Sequence, residues 1–259
     1  MSNPHGSFIW YELTTSDPAA AIEFYRAVVG WTARDSGMPD VSYTLFGADG
    51  ADVAGAMSIP EDAKAAGLPP NWTGYVAVDD VDRRTEEVAR AGGRVHVQPQ
   101  DIPGVGRFSI VSDPQGAMLA LMTPLPREGG GAPASRSAPG HGGWHELMAA
   151  DWPAAFAFYA KLFGWTKAEA IDMGPMGTYQ LFAKDGESIG GMMTKPAEVE
   201  APPAWLFYFN VAGIDAAKAR IEAGGGAVVN GPMEVPGGAW IVQGRDPQGA
   251  MFALVGPKG

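Results

Sequence analysis

Two acids stand in strand-like, otherwise apolar surroundings: Glu12 in Phe8-Ile-Trp-Tyr-Glu-Leu-Thr14 and Glu146 in Gly143-Trp-His-Glu-Leu-Met148. A carboxylate buried there must be paired, hydrogen-bonded or protonated. Three roles follow: a general base on a C–H or O–H acid, a polar anchor for a ligand, or half of a structural ion pair, with Arg107 as the partner. Side chains alternate across a strand, so Trp10 shares a face with Glu12, and Trp144 with Glu146. Parity on the other strands adds aromatic and thioether groups. The candidate ligand-binding residues are Trp10, Met57, Tyr75, Arg107 and Met118 in the first half, and Trp144, Met193, Tyr208, Trp240 and Met251 in the second. Aromatic faces stack and methionine adapts its shape, so such walls suit a flat or irregular apolar organic molecule. Glu12 and Glu146 are the candidate catalytic residues.

The remaining chemistry is sparse. The chain has no cysteine, which excludes thiolate zinc sites, iron–sulfur clusters and thiol nucleophiles. Its four histidines show no metal-binding spacing, and His145, next to Trp144, points to the opposite side of its strand. No nucleophile elbow, Walker loop or dinucleotide fingerprint occurs, and Gly104-Val-Gly106 reads as a hairpin glycine pair. We expect no cofactor and no metal. A formal net charge of −11 repels phosphate backbones and anionic lipid, so nucleic acid and membranes are not expected partners. With no signal peptide and no long apolar run, a cytoplasmic monomer or homodimer is expected.

The elements that must position these groups occur twice. Trp10, Glu12, Leu13 and Asp17 recur as Trp144, Glu146, Leu147 and Asp151; Phe24-Tyr25 recurs as Phe158-Tyr159, and Gly30-Trp31 as Gly164-Trp165. Asp113-Pro-Gln-Gly-Ala-Met118 returns as Asp246-Pro-Gln-Gly-Ala-Met251, an offset of 246 − 113 = 133. In the first half, a strand over 8–14 leads to a helix capped by Asp17-Pro18 and stopped by Gly30. Strands over 43–46 and 52–58 flank a glycine-containing hairpin loop. A strand over 72–78, a helix over 81–91 and strands over 94–97, 107–111 and 118–122 complete the half. The expected domains are 1–124 and 143–259, joined by a Gly/Pro/Ser-rich linker over 125–142 whose cleavage should release two folded halves.

Paired units of this kind, with Phe-Tyr and Gly-Trp on the first helix, Val78-Asp-Asp-Val-Asp82 after the middle strand and a closing Asp-Pro-Gln-Gly turn, resemble the vicinal oxygen chelate superfamily. That is the glyoxalase, bleomycin-resistance and dioxygenase group. The resemblance implies an α+β chain of two tandem domains, each of two βαβββ modules forming an open β-cup with helices outside. Metal-using members place ligands at positions corresponding here to Trp10, Gly55, Thr73 and Ala120, and to Trp144, Gly191, Leu206 and Ala253. None offers the imidazole or carboxylate that a divalent metal needs.

The reading is therefore of a metal-independent protein that binds or sequesters a small apolar or aromatic metabolite. Its alternatives are a metal-free lyase, isomerase or hydroxylase-like enzyme of secondary metabolism using Glu12 or Glu146 as base, and a ligand-sensing regulatory or stress-response protein.

Overall fold

The computed structural model describes residues 4–39, 41–126 and 137–259, so most of the expected linker, 127–136, lies outside the described residues. The first module is β1 (Phe8–Thr15), α1 (Pro18–Val29), β2 (Thr32–Asp35), β3 (Tyr43–Ala48) and β4 (Ala51–Ser58). A short helix, α2 (Glu61–Ala65), leads to the second: β5 (Asn71–Ala77), α3 (Val81–Arg90), β6 (Arg94–Ile102), β7 (Gly106–Ser112) and β8 (Met118–Pro124). The third is β9 (Gly142–Ala149), α4 (Trp152–Phe163), β10 (Thr166–Asp172), β11 (Thr178–Lys184) and β12 (Glu187–Thr194). The fourth is β13 (Ala204–Asn210), α5 (Ile214–Ala223), β14 (Ala227–Glu234), β15 (Trp240–Arg245) and β16 (Met251–Gly256).

Two mixed eight-stranded sheets result, ordered β2-β3-β4-β1-β5-β8-β7-β6 and β10-β11-β12-β9-β13-β16-β15-β14. This is the expected α+β architecture, one sheet from each half of the sequence. The residue pattern missed β2, whose Thr-Ala-Arg-Asp is largely exposed and has no apolar alternation to show, and it missed α2.

Local chemistry explains the element ends. Asp17 Oδ1 accepts from Ala20 N at 3.1 Å and Asp151 Oδ1 from Ala154 N at 3.3 Å, capping α1 and α4. Gly30 and Gly164 close those helices in the left-handed region, at φ 90° and 74°. The β3–β4 hairpin turns on Asp49-Gly50, with φ 48° and 78°, and β11–β12 turns on Asp185-Gly186, with φ 52° and 84°. Both central residues have positive φ, the turn whose twist matches paired strands.

The chain packs as two compact units that cut across the sequence repeat. One gathers the first and fourth modules, including Trp10–Thr73 and Leu206–Gly259. Its core is aromatic: Tyr25, Trp31, Phe46, Trp72, Phe209 and Phe252 are all buried, and Trp31 stacks on Phe46 at 4.9 Å. The other unit gathers the second and third modules, including His145–Trp205. Here Tyr159, Phe163, Trp165, Phe182 and Trp205 are buried, and Trp165 stacks on Phe182 at 4.4 Å.

Within each unit the repeated motifs hold the packing together. Tyr25 Oη donates to Asp246 Oδ2 at 3.0 Å and accepts from Trp72 Nε1 at 2.8 Å. Asp246 Oδ1 accepts from the Gln248 and Ala250 amides at 3.0 and 2.8 Å. In the other unit Tyr159 donates to Asp113 at 3.0 Å and accepts from Trp205 at 3.1 Å. The Gly-Trp motif has a matching task. Trp31 Nε1 donates to Gly140 O at 2.7 Å and Trp165 Nε1 to Gly6 O at 2.8 Å. Those two acceptors must be glycine: φ is 83° and 79°, and a Cβ would lie 2.6 Å from Ala48 Cβ or 2.5 Å from Phe163 O.

Candidate functional site

On β1, Tyr11, Leu13 and Thr15 are buried while Trp10, Glu12 and Thr14 are half-buried, so the latter row faces away from the core. Parallel pairing places Glu12 beside Gly55 and Thr14 beside Met57, and antiparallel pairing places Tyr43 beside Met57. Trp10, Glu12, Tyr43, Gly55 and Met57 thus share one sheet face. Gly55 is what lets Tyr43 lie there. A Cβ at Gly55 would come within 2.1 Å of the phenol oxygen and 2.4 Å of Cζ.

The phenol joins its neighbours in a directed chain. Trp10 Nε1 donates to Tyr43 Oη at 2.9 Å, and Tyr43 donates to Glu12 Oε2 at 3.0 Å. An indole N–H only donates, so the Tyr43 proton must point to the carboxylate. Burial first, and the Glu12 charge second, push the Tyr43 pKa upward, which keeps that proton on the phenol. The second repeat builds the same tyrosine-to-carboxylate bond over a glycine. Glu146 pairs with Gly191 across β9 and β12, and Met148 with Met193. Tyr179 donates to Glu146 Oε2 at 3.1 Å, and its ring lies 2.3 Å from where a Gly191 Cβ would be.

Tyr43 and Tyr179 were absent from the sequence reading. Their signal was a further repeated motif, Tyr43-Thr-Leu-Phe46 and Tyr179-Gln-Leu-Phe182, in which the buried Phe is core and the Tyr turns to the other face.

The expected residues of the second and fourth modules form rows of their own. Tyr75 pairs with Ala120, and Ile110 with Ala120, which puts Tyr75, Ile110, Met118 and Met122 on one face, with Phe108 6.2 Å from the Tyr75 ring. In the fourth module Tyr208 pairs with Ala253, Gln243 with Ala253 and Arg245 with Met251. Two expected ligand residues stand apart from these rows. Arg107, one position from Phe108, turns toward α3, donating to Asp82 at 2.7 and 2.9 Å and to Asp101 at 3.1 Å. Its pKa is raised and that of Asp82 lowered by this pairing. The ion pair expected between Arg107 and Glu12 is replaced by these bonds and by Tyr43. Trp240 lies on the strand face opposite Gln243, beneath Lys258 Nζ at 4.5 Å.

His145 turns into the core, bonded to Ile189 O at 2.5 Å and stacked on Phe8 at 3.8 Å. His96 bonds Ser112 at 3.0 Å, and burial lowers its pKa. Among the described residues no three His, Asp or Glu side chains are grouped to hold a metal ion. At the family's ligand positions stand two indoles, two glycines, a threonine, a leucine and two alanines, with a phenol over each glycine. That donor set does not fit a divalent metal.

The family model for the glyoxalase/bleomycin resistance protein/dioxygenase superfamily matches residues 7–121 and again 138–254. The chain belongs to this superfamily, as two tandem copies of its domain. Among individual relatives, the Mycobacterium bovis protein named "Putative glyoxylase CFP32" is 32% identical over 250 residues, covering 96% of this chain and 94% of that one. The anthracycline biosynthesis protein DnrV of Streptomyces peucetius is 32% identical over 262 residues, covering 96% and 93%. Solved structures share the fold at lower identity. The Mn(II)-bound glyoxalase from Novosphingobium aromaticivorans superposes with TM-score 0.69 at 15% identity, covering 99% of this chain and 83% of that one. For 2,2',3-trihydroxybiphenyl 1,2-dioxygenase from Sphingomonas wittichii the values are 0.68, 14%, 98% and 91%.

Proposed function

We propose that this chain is a metal-independent member of its superfamily that binds a small apolar or aromatic metabolite. The observation that carries this reading is the Tyr43 phenol lying over Gly55, repeated by Tyr179 over Gly191. At each repeat a ring occupies the place where a metal donor would project. The half-buried Trp10 and Met57 on the face of Tyr43 offer stacking and adaptable contact instead of coordination. Relatives named for anthracycline biosynthesis support a metabolite ligand. Native mass spectrometry of untagged protein tests the proposal. An organic molecule retained in the gas phase and removed by organic extraction is the expected result, and a stoichiometric transition metal would overturn it.

A second reading, a metal-free enzyme with Glu12 or Glu146 as general base, draws on the Tyr-to-carboxylate bond. The phenol fixes the orientation of the carboxylate, as a base aimed at a bound C–H or O–H acid requires. Single-turnover assays on the extracted molecule separate the readings: unchanged recovery supports binding, and conversion that Glu12→Gln or Glu146→Gln abolishes supports catalysis.

A further inference from the structure

The second and fourth modules carry the same four-position row across four strands, and the rows differ in chemistry. In the second module Val97 pairs with Ile110, Ile110 with Ala120 and Ala120 with Tyr75. In the fourth, Asn230 pairs with Gln243, Gln243 with Ala253 and Ala253 with Tyr208. Each fourth-module position is its second-module counterpart plus the repeat offset of 246 − 113 = 133. The tyrosine and alanine are kept, while Val and Ile are replaced by two amides.

Those amides are joined to the phenol. Asn230 Nδ2 donates to Gln243 Oε1 at 3.3 Å, and Gln243 Nε2 donates to Tyr208 Oη at 2.6 Å. The chain runs from exposed Asn230 through half-buried Gln243 to Tyr208, which is 2% exposed. In the second module the corresponding tyrosine packs against Phe108 and has aliphatic neighbours along its row.

We propose that the fourth module is a hydrogen-bonding subsite, Asn230–Gln243–Tyr208, that reads a carbonyl or hydroxyl oxygen on an apolar aromatic scaffold, and that the second module, with Val97 and Ile110 in the amide positions, does not read that oxygen through amides. The two repeats then differ in specificity: one selects by shape and stacking, the other also by oxygenation. This rests on the binding reading above.

Equilibrium dialysis with 2-naphthol and with naphthalene, which differ by one hydroxyl, tests it on the full chain. Because a site built to pair a hydroxyl loses that bond when its own partner is removed, Gln243→Ile should weaken 2-naphthol binding at the tighter site about tenfold and leave naphthalene within about twofold. Tyr208→Phe keeps the ring, so it should fold normally and show the same selective loss. The reciprocal Ile110→Gln should strengthen 2-naphthol binding only. Equal loss of both probes, or 2-naphthol binding unchanged in both fourth-module variants, would overturn the subsite while leaving the binding reading intact. A wild-type chain that binds neither probe would overturn the binding reading and the subsite with it.

Discussion

Tyr25 Oη lies 3.0 Å from Asp246 Oδ2, a bond that spans 221 residues of chain and joins the first module's helix to the last module's closing turn. Tyr25 is fully buried and Asp246 is 3% exposed. Tyr25→Phe would leave the buried Trp72 N–H and the Asp246 carboxylate each short of a partner. The expected loss is about 1–3 kcal/mol, the typical penalty for an unsatisfied buried group. Urea unfolding of the variant checks this, and Tyr159→Phe should behave alike.

The same aspartates set a pH dependence. Burial is the main cause that raises the pKa of Asp113 and of Asp246, against the hydrogen bonds that lower it. A carboxyl with a raised folded-state pKa holds its proton more tightly folded than unfolded. Its contribution to stability is therefore fully present below the unfolded value near 3.8 and is lost as pH rises through the folded value. Asp246→Asn removes this term. The difference in unfolding free energy between wild type and variant, followed upward from pH 4, should shift against the wild type until the folded pKa is passed, then level off.

Gly55→Ala tests the phenol's seat. A methyl 2.1 Å from the Tyr43 oxygen must displace the ring and break its bonds to Trp10 and Glu12. Overpacking of this kind costs about 1–3 kcal/mol. Affinity for the copurified molecule should fall in Gly55→Ala and, with less destabilisation, in Tyr43→Phe.

Trp144→Ala separates wall from core. Trp144 is half-buried, whereas Trp165 is 2% exposed inside the aromatic core. Losing an indole that stacks on ligand should weaken binding about tenfold or more. Trp165→Ala should instead cost about 3–5 kcal/mol of stability. Paired melting and binding curves on the two variants decide which tryptophan faces ligand.

Cleavage within 125–142 tests the domain division. Tyr25–Asp246 and Tyr159–Asp113 each join the first sequence repeat to the second. The two pieces should therefore stay together on gel filtration under native conditions and separate only in denaturant. Pieces that separate freely would show 1–124 and 143–259 to be independent folding domains.

Much of this fold was legible because its motifs occur twice and obey simple local rules. Asp17 and Asp151 cap helices, Gly30 and Gly164 stop them, and the alternation in β1 separates Leu13 from Glu12. The partner of Glu12 was not legible. Strand parity places Tyr43 on the right face only once β3 is in register with β4, and register is a property of the sheet, not of the strand. The Asp82 partner of Arg107 was hidden for a related reason: the long side chain is one position out of phase with Phe108 and reaches a helix residue 25 positions upstream. The grouping of the first module with the fourth was likewise hidden, because the Phe-Tyr and Asp-Pro-Gln-Gly motifs do not announce which copy pairs with which.

The crossed tyrosine–aspartate bonds have an evolutionary reading. Residue for residue, the first copy gives its tyrosine to the second copy's aspartate and receives the second copy's tyrosine on its own aspartate. This is the reciprocity of an isologous contact, in which one surface patch serves both partners. A single repeat, encoded alone, would keep the Trp72 and turn-amide bonds but leave the Tyr25 O–H and Asp113 Oδ2 without their mates. Two such chains would satisfy both by pairing as a symmetric homodimer. A duplication that joined two such copies in one chain would keep both bonds and need add only a connection between them.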